Sequence, residues 1–188
     1  MYYLIKLIME IKYLYHASNN KNIDVLKPRQ ESIRDPNEGP VVFASQDKQY
    51  TSCFLTPTDS SWAKISKYTN KSHLPIYLMV ISDEKRFKEL DKGGAIYYLS
   101  PNGFYLDKSK SLIEWTSKND VTPIKKDVFD NSLDAMISND VIVYFCSKEI
   151  LQKIQEDPSN TIRTMEILKT LISENEKRGL NNLIHEYY

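Results

Sequence analysis

Apolar residues fall in short alternating or continuous stretches separated by polar turns. In residues 10–18 bulky residues alternate, Tyr13 and Tyr15 against Leu14, and predict a first strand. That strand runs into His16 and then the small, polar Ala17, Ser18, Asn19 and Asn20. A histidine at a strand end sits at the rim of a sheet, where a ligand can reach it. Residues 22–28 read as a turn anchored by Ile23, Val25 and Leu26. The polar stretch 30–40, with Pro36 and Gly39, reads as an exposed loop. Residues 41–44 predict a short buried strand. A helix over 48–55 follows, capped by Asp47, with Tyr50, Cys53 and Phe54 facing inward. Trp62 opens an irregular or helical segment.

The run Pro75-Ile76-Tyr77-Leu78-Met79-Val80-Ile81 predicts a buried strand, and 83–90 a short charged helix. Gly93-Gly94 breaks to a strand over 95–99. The turn Ser100-Pro101-Asn102-Gly103 and a returning segment at 104–106 predict a hairpin. Residues 112–116 form the next strand, with Glu114 as its one acid. Residues 121–124 form an edge strand, where Pro123 is tolerated. One or two helical turns at 133–137 precede the last strand, 141–146. Beyond Cys146 the pattern becomes helical, over 148–156 and 161–178. Ile162, Met165, Leu168, Leu171 and Ile172 recur at three and four, so one stripe packs on the body, and Gly179 stops the helix. Strands first and helices last predict an α+β fold: a body over 1–147 and a C-terminal helical extension over 148–188 packed on it.

At 188 residues the chain is long enough for one domain with a proper core. Lys+Arg 25 and Asp+Glu 25 cancel, which argues against generic nucleic-acid binding, since that needs a basic excess. A local basic patch stays open. The 13 tyrosines suit half-buried strand positions, and also clefts where a ring and a hydroxyl are both useful. Cys53 and Cys146 form no Cys-x-x-Cys pair. They read as buried apolar residues of a reducing, cytoplasmic interior, with no metal site. The apolar first eight residues are too short to span a bilayer and lack a leader and cleavage pattern. No membrane partner is expected, and Met9 is an alternative start to Met1.

Three stretches carry the candidate chemistry. Tyr15-His16-Ala17-Ser18 closes the first strand and leads to Ile23-x-x-Leu26. Val41-Val42-Phe43-Ala44-Ser45 leads into a helix. Ile113-Glu114-Trp115 sets an acid in a late strand. Over residues 10–146 this pattern resembles the ADP-ribosyltransferase-like fold. The resemblance implies a split, mostly antiparallel sheet and NAD as a bent substrate, with nicotinamide gripped by backbone beside His16. His16 would bond one ribose hydroxyl. Glu114 would bond another and stabilise positive charge growing on the anomeric carbon. On this reading His16 and Glu114 are catalytic. His16, Ala17, Ser18, Val42, Phe43, Ser45 and Tyr98 bind the nucleotide, no metal takes part, and the acceptor is unspecified.

The departures from the family pattern are specific. Its stacking tyrosine falls at Val42, and Ala17 stands where glycine is usual. Either Tyr97, Tyr98 or Phe104 stacks on the ligand, or NAD is not cleaved. The alternatives are therefore a non-catalytic binder of NAD or an ADP-ribose-like nucleotide, or a protein-interaction domain whose cleft is filled. Each residue also has a plainer role. His16 can be a satisfied structural histidine, and Glu114 an edge-strand acid neutralised by Lys108, Lys110 or Lys118. Arg29 and Arg34 can grip a phosphate or sit in a solvated loop. His73 and His185 read as solvent or packing residues. The transferase reading expects His16 and Glu114 in one sheet system, with both side chains in one cleft.

Overall fold

The computed structural model describes residues 11–29, 37–69, 75–109, 111–157, 163–164 and 183–185. Two sheets make up the core. The first is five-stranded and wholly antiparallel, in the order β6-β2-β1-β5-β7. Its strands are β1 (Leu14–Ser18), β2 (Val42–Ser45), β5 (Gly94–Leu99), β6 (Glu114–Ser117) and β7 (Lys125–Phe129). The second has the order β3-β4-β8-β9, from β3 (Ala63–Thr69), β4 (Pro75–Ile81), β8 (Ile142–Phe145) and β9 (Leu183–His185). β3 and β4 are antiparallel, and β8 and β9 join in parallel. Short helices connect the strands: α1 (Lys48–Ser52), α2 (Glu84–Leu90), α3 (Ser132–Ser138) and α4 (Lys148–Glu156). The protein is thus an α+β fold, mostly antiparallel, with few helices among the described residues.

The unbroken apolar run of β4 is explained by burial on both faces. Leu78 and Val80 pack with Ile142, Tyr144 and the α4 residues Leu151 and Ile154. Tyr77, Met79 and Ile81 pack on the other face with Cys53, Trp62, Phe87 and Met136. In the first sheet Leu14, Val42, Ala44, Tyr97 and Leu99 share one core. Ile96 meets Leu55 and Ala135 on the opposite face. Each helix opens on a side-chain cap, at Asp47, Asp83, Asn131 and Ser147, as expected for Asp47.

Several elements differ from the sequence reading. α1 stops at Ser52, and Phe54 is turned out, 47% exposed. Val25 is likewise 39% exposed, and Leu26 alone of the three anchors is fully buried. The segment after Trp62 is a strand, because it pairs with β4 from Ala63↔Ile81 to Thr69↔Pro75. No hairpin follows β5, whose two edges are taken by β1 and β7. The returning segment crosses instead to β6, where Tyr105 and Thr116 exchange backbone bonds of 2.8 and 2.9 Å. The edge strand expected at 121–124 is a single bridge, Leu26↔Val121, and the strand proper begins at Lys125. α4 lies where expected, but Leu183–His185 is strand rather than helix. The loop 30–36 and the stripe from Ile162 to Ile172 lie outside the described residues. Among the described residues no helix is long and apolar enough to cross a membrane.

Candidate functional site

The first sheet is zipped on both flanks and open in the middle. β1 holds five register pairs with β5, and β2 holds four with β6. β1 and β2 share one, Tyr15↔Ser45, and then part. The His16 imidazole spans this seam, its Nδ1 lying 2.7 Å from the Phe43 carbonyl oxygen. A carbonyl only accepts, so Nδ1 carries the proton. Burial pulls the His16 pKa below its ordinary value; the Phe43 bond opposes this, and Arg29 adds to it. At neutral pH the ring is therefore uncharged, with its Nε2 lone pair available as an acceptor. Because β1 continues to Ser18, His16 sits mid-strand rather than at its end.

A cavity of about 340 Å³ opens at the seam. Its wall is largely rings, those of Tyr15, Phe43, Tyr50 and Phe54, with His16 and Glu114 as its ionisable members besides the tyrosines. A smaller cavity of about 120 Å³ adjoins it, with His16 and Phe43 as shared wall. Arg29 lines the smaller one, beside Ser18 and Val42.

Register fixes which face each side chain leaves from, since opposed residues in an antiparallel ladder project together. Glu114 is opposite Ser45, and Ser45 opposite Tyr15. His16 is opposite Tyr97, whose ring belongs to the other face. His16 and Glu114 thus leave opposite faces of the same sheet. They line one cavity because the parted strands let the imidazole reach through the seam.

Glu114 is held from α1. The Tyr50 hydroxyl donates to Glu114 Oε1 at 3.0 Å. Burial, reinforced by the Glu114 charge, pushes the Tyr50 phenol far above its usual range, so it stays a donor. The Tyr50 ring packs edge-on against Phe54, centroids 4.8 Å apart.

The other expected site residues divide. Ala17, Phe43 and Ser45 line the larger cavity with His16 and Glu114, whereas Ser18 and Val42 line the smaller. Tyr97, expected as a stacking ring, is buried, and its hydroxyl accepts from the Ile23 N–H and donates to the Asn20 carbonyl. Phe104 packs against the core of that same face. Tyr98 lies outside both cavities, donating to Asp127 Oδ2 at 2.6 Å. Arg34, His73 and Lys110 lie outside the described residues. Sequence reasoning missed Tyr15 and Tyr50 as wall residues. The signals were present: Tyr15 adjoins His16, and Tyr50 stands three residues after the cap. Burial pushes the Cys53 thiol up to about 12 and the Cys146 thiol up to about 11, so neither is a nucleophile at neutral pH. Among the described residues no group of three metal-ligating side chains comes together.

Comparison of the chain with protein-family models, curated proteins and solved structures gives no match.

Proposed function

We propose that the protein binds an NAD-type nucleotide at the seam. The planar, amide-bearing ring lies among Tyr15, Phe43, Tyr50 and Phe54, and a ribose hydroxyl donates to His16 Nε2. The observation that carries this reading is the ring-lined cavity whose few polar groups include, beside Glu114, Ser45 and Thr51, an uncharged imidazole with a free lone pair. Such a site favours a ligand with a flat face and a hydroxyl donor. The stacking lost at Val42 is supplied by these other rings.

A second reading, ADP-ribosyl transfer, is favoured by the Glu114 carboxylate in the same cavity. Nicotinamide would leave with the electron pair of the glycosidic bond. An acceptor nucleophile would bond the anomeric carbon and lose its proton, while Glu114 opposes the transient positive charge. The opposite-face origin of His16 and Glu114 weighs against this reading and puts binding first.

Thermal shift with NAD and nicotinamide release decide between the two. In either case NAD raises the melting temperature by mass action, and His16→Ala abolishes the shift. If transfer occurs, Glu114→Gln keeps NAD binding within a few fold and cuts nicotinamide release by a factor on the order of 100. A binder releases no nicotinamide. A wild-type protein stabilised by no adenine nucleotide would remove both readings and leave a protein-interaction domain.

A further inference from the structure

His16 and Ser18 alternate with Tyr15 along β1, so they leave the sheet on the face opposite Tyr15 and Glu114. There they meet the segment 26–29, which is strapped to the domain at both ends. Leu26 exchanges two backbone bonds of 2.8 Å with Val121, and Arg29 bridges to Val41 at the entry to β2. Leu26 is buried, whereas Lys27 and Arg29 stay at the surface. Between this strap and β1 lies the smaller cavity, about 120 Å³, with Lys27 and Arg29 among its lining residues.

The charged members of that lining are both cations, and among the described residues no carboxylate lines it. Lys27 stands 4.0 Å from Asp120, with both side chains mostly exposed, so the pair leaves its charge largely available. Arg29 makes no ion pair among the described residues. Its charge is felt at the cavity wall: besides burial, the larger cause, it holds the His16 pKa below its ordinary value. Ser18 Oγ accepts from the Asn20 N–H at 3.2 Å, which leaves its own hydrogen to donate. A guanidinium fork, a hydroxyl hydrogen and a second cation suit a tetrahedral oxyanion. Phosphate is favoured over a carboxylate because its monoanion also carries a hydroxyl hydrogen, which a neutral imidazole nitrogen can accept. At about 120 Å³, against about 340 Å³ at the seam, the space holds one phosphate group and not a nucleoside.

We infer that the smaller cavity is a site for a single phosphate group, free or terminal on a small ester, anchored by Arg29. Ser18 donates beside it, and Lys27 adds charge at the mouth. The site is distinct from the seam cavity, since the His16 ring and the Phe43 residue it bonds are shared wall between the two. It does not depend on a nucleotide binding at the seam.

The test titrates inorganic phosphate and ribose 5-phosphate at fixed pH and ionic strength, and follows the His16 ring by proton–nitrogen NMR. The chain has 3 histidines, and His16→Asn assigns the signal. Phosphate should shift it saturably. Arg29→Gln, a change at an exposed position, should weaken that response roughly tenfold, the loss of one charge-assisted contact. A filled site offsets the Arg29 charge, so saturating phosphate should raise the pH at which His16 titrates in the wild type and not in Arg29→Gln. The other ionisable groups around the ring are Lys27 on this side and Tyr15, Tyr50 and Glu114 on the other, and both proteins share them. Either probe binding supports the site: both together admit esters, and phosphate alone confines it to the free ion. A wild-type signal that drifts without saturating would overturn the site. So would an Arg29→Gln response within about twofold of the wild type. Thermal shift by NAD reads the seam separately, so failure of either site leaves the other standing.

Discussion

Protonating His16 should destabilise the protein in a defined pH window. In the fold the ring donates through Nδ1 to Phe43, and burial and Arg29 both oppose a positive charge on it. The folded-state pKa therefore lies below the unfolded value of about 6.5. Between these two values the unfolded chain binds more protons than the folded one, so stability falls as pH falls. Above about 6.5 the ring is neutral in both states and contributes no slope. One proton sets the ceiling, about 1.4 kcal/mol per pH unit within the window. Protonation keeps the Nδ1 bond to Phe43, so the loss comes from placing a charge, and a new Nε2 donor, against a largely apolar wall. The assay is urea unfolding of the wild type and of His16→Asn from about pH 7.5 to about pH 5, where the asparagine amide can still reach the Phe43 carbonyl. Carboxylates titrate in both proteins and cancel in the difference. The difference should be flat above about pH 6.5 and decline below it. Superimposable curves, or a difference that grows on acidification, would refute the neutral Nδ1–H assignment. Nitrogen chemical shifts of the imidazole give the tautomer directly.

Two packing predictions accompany it. Gly94→Ala places a methyl 2.3 Å from the backbone carbonyl oxygen of Ser18, with Leu55 Cδ2 at 2.9 Å. β1 and β5 must separate to admit it, so the variant should lose about 2 kcal/mol or more in urea unfolding. Leu151→Ala empties a site that is 1% exposed between α4 and the second sheet, and should cost about 3 kcal/mol in the same measurement. An unchanged midpoint there would make α4 an appendage rather than part of the core.

What could be read along the chain depended on burial. β4 was legible because both its faces are covered, so every position from Tyr77 to Ile81 is apolar. Asp47 was legible because an uncapped helix start leaves orphan donors that few residue types satisfy. β3 and β7 were missed for the opposite reason. Both lie at sheet edges, and Lys64, Ser66 and Lys67, like Lys125, Lys126 and Asp127, do not announce a strand. Their partners define them, and pairing is not a local property. The same limit applies at the site. The motifs brought His16 and Glu114 to one sheet, on β1 and β6 with β2 between them, and both do line one cavity. Alternation within each strand gives two sets of side chains but not which set matches the neighbour's. That depends on register, and a slip of one residue inverts it. The single pair Tyr15↔Ser45 places Glu114 on the face opposite His16, and no stretch of sequence encodes that pair by itself.

The position of Glu114 also depends on the second sheet. Tyr77, 1% exposed in the core of β4, donates its hydroxyl to Asp47 Oδ2 at 2.8 Å. Asp47 Oδ1 accepts from the Tyr50 N–H at 3.2 Å, and the Tyr50 hydroxyl reaches Glu114. α1 has five residues, too few to hold a helix alone, so these bonds fix its orientation. Burial is the largest cause pushing both phenols far above their usual range, and the carboxylate beside each adds to it. Each tyrosine therefore keeps its proton throughout the physiological range, and the direction of donation cannot reverse: Tyr77 to Asp47, Tyr50 to Glu114. A hydrogen bond to a carboxylate is stronger than one between neutral groups. The relay thus ties the acid in the seam cavity to a ring in the core of the other sheet. A shift of one sheet against the other would move α1, and with it the wall of the cavity and the carboxylate it holds. His16 is anchored differently, by the Phe43 carbonyl within its own sheet. Both groups stand on the first sheet, but the Glu114 carboxylate alone is also tied through α1 to the second, so relative motion of the sheets would change the distance between it and the imidazole.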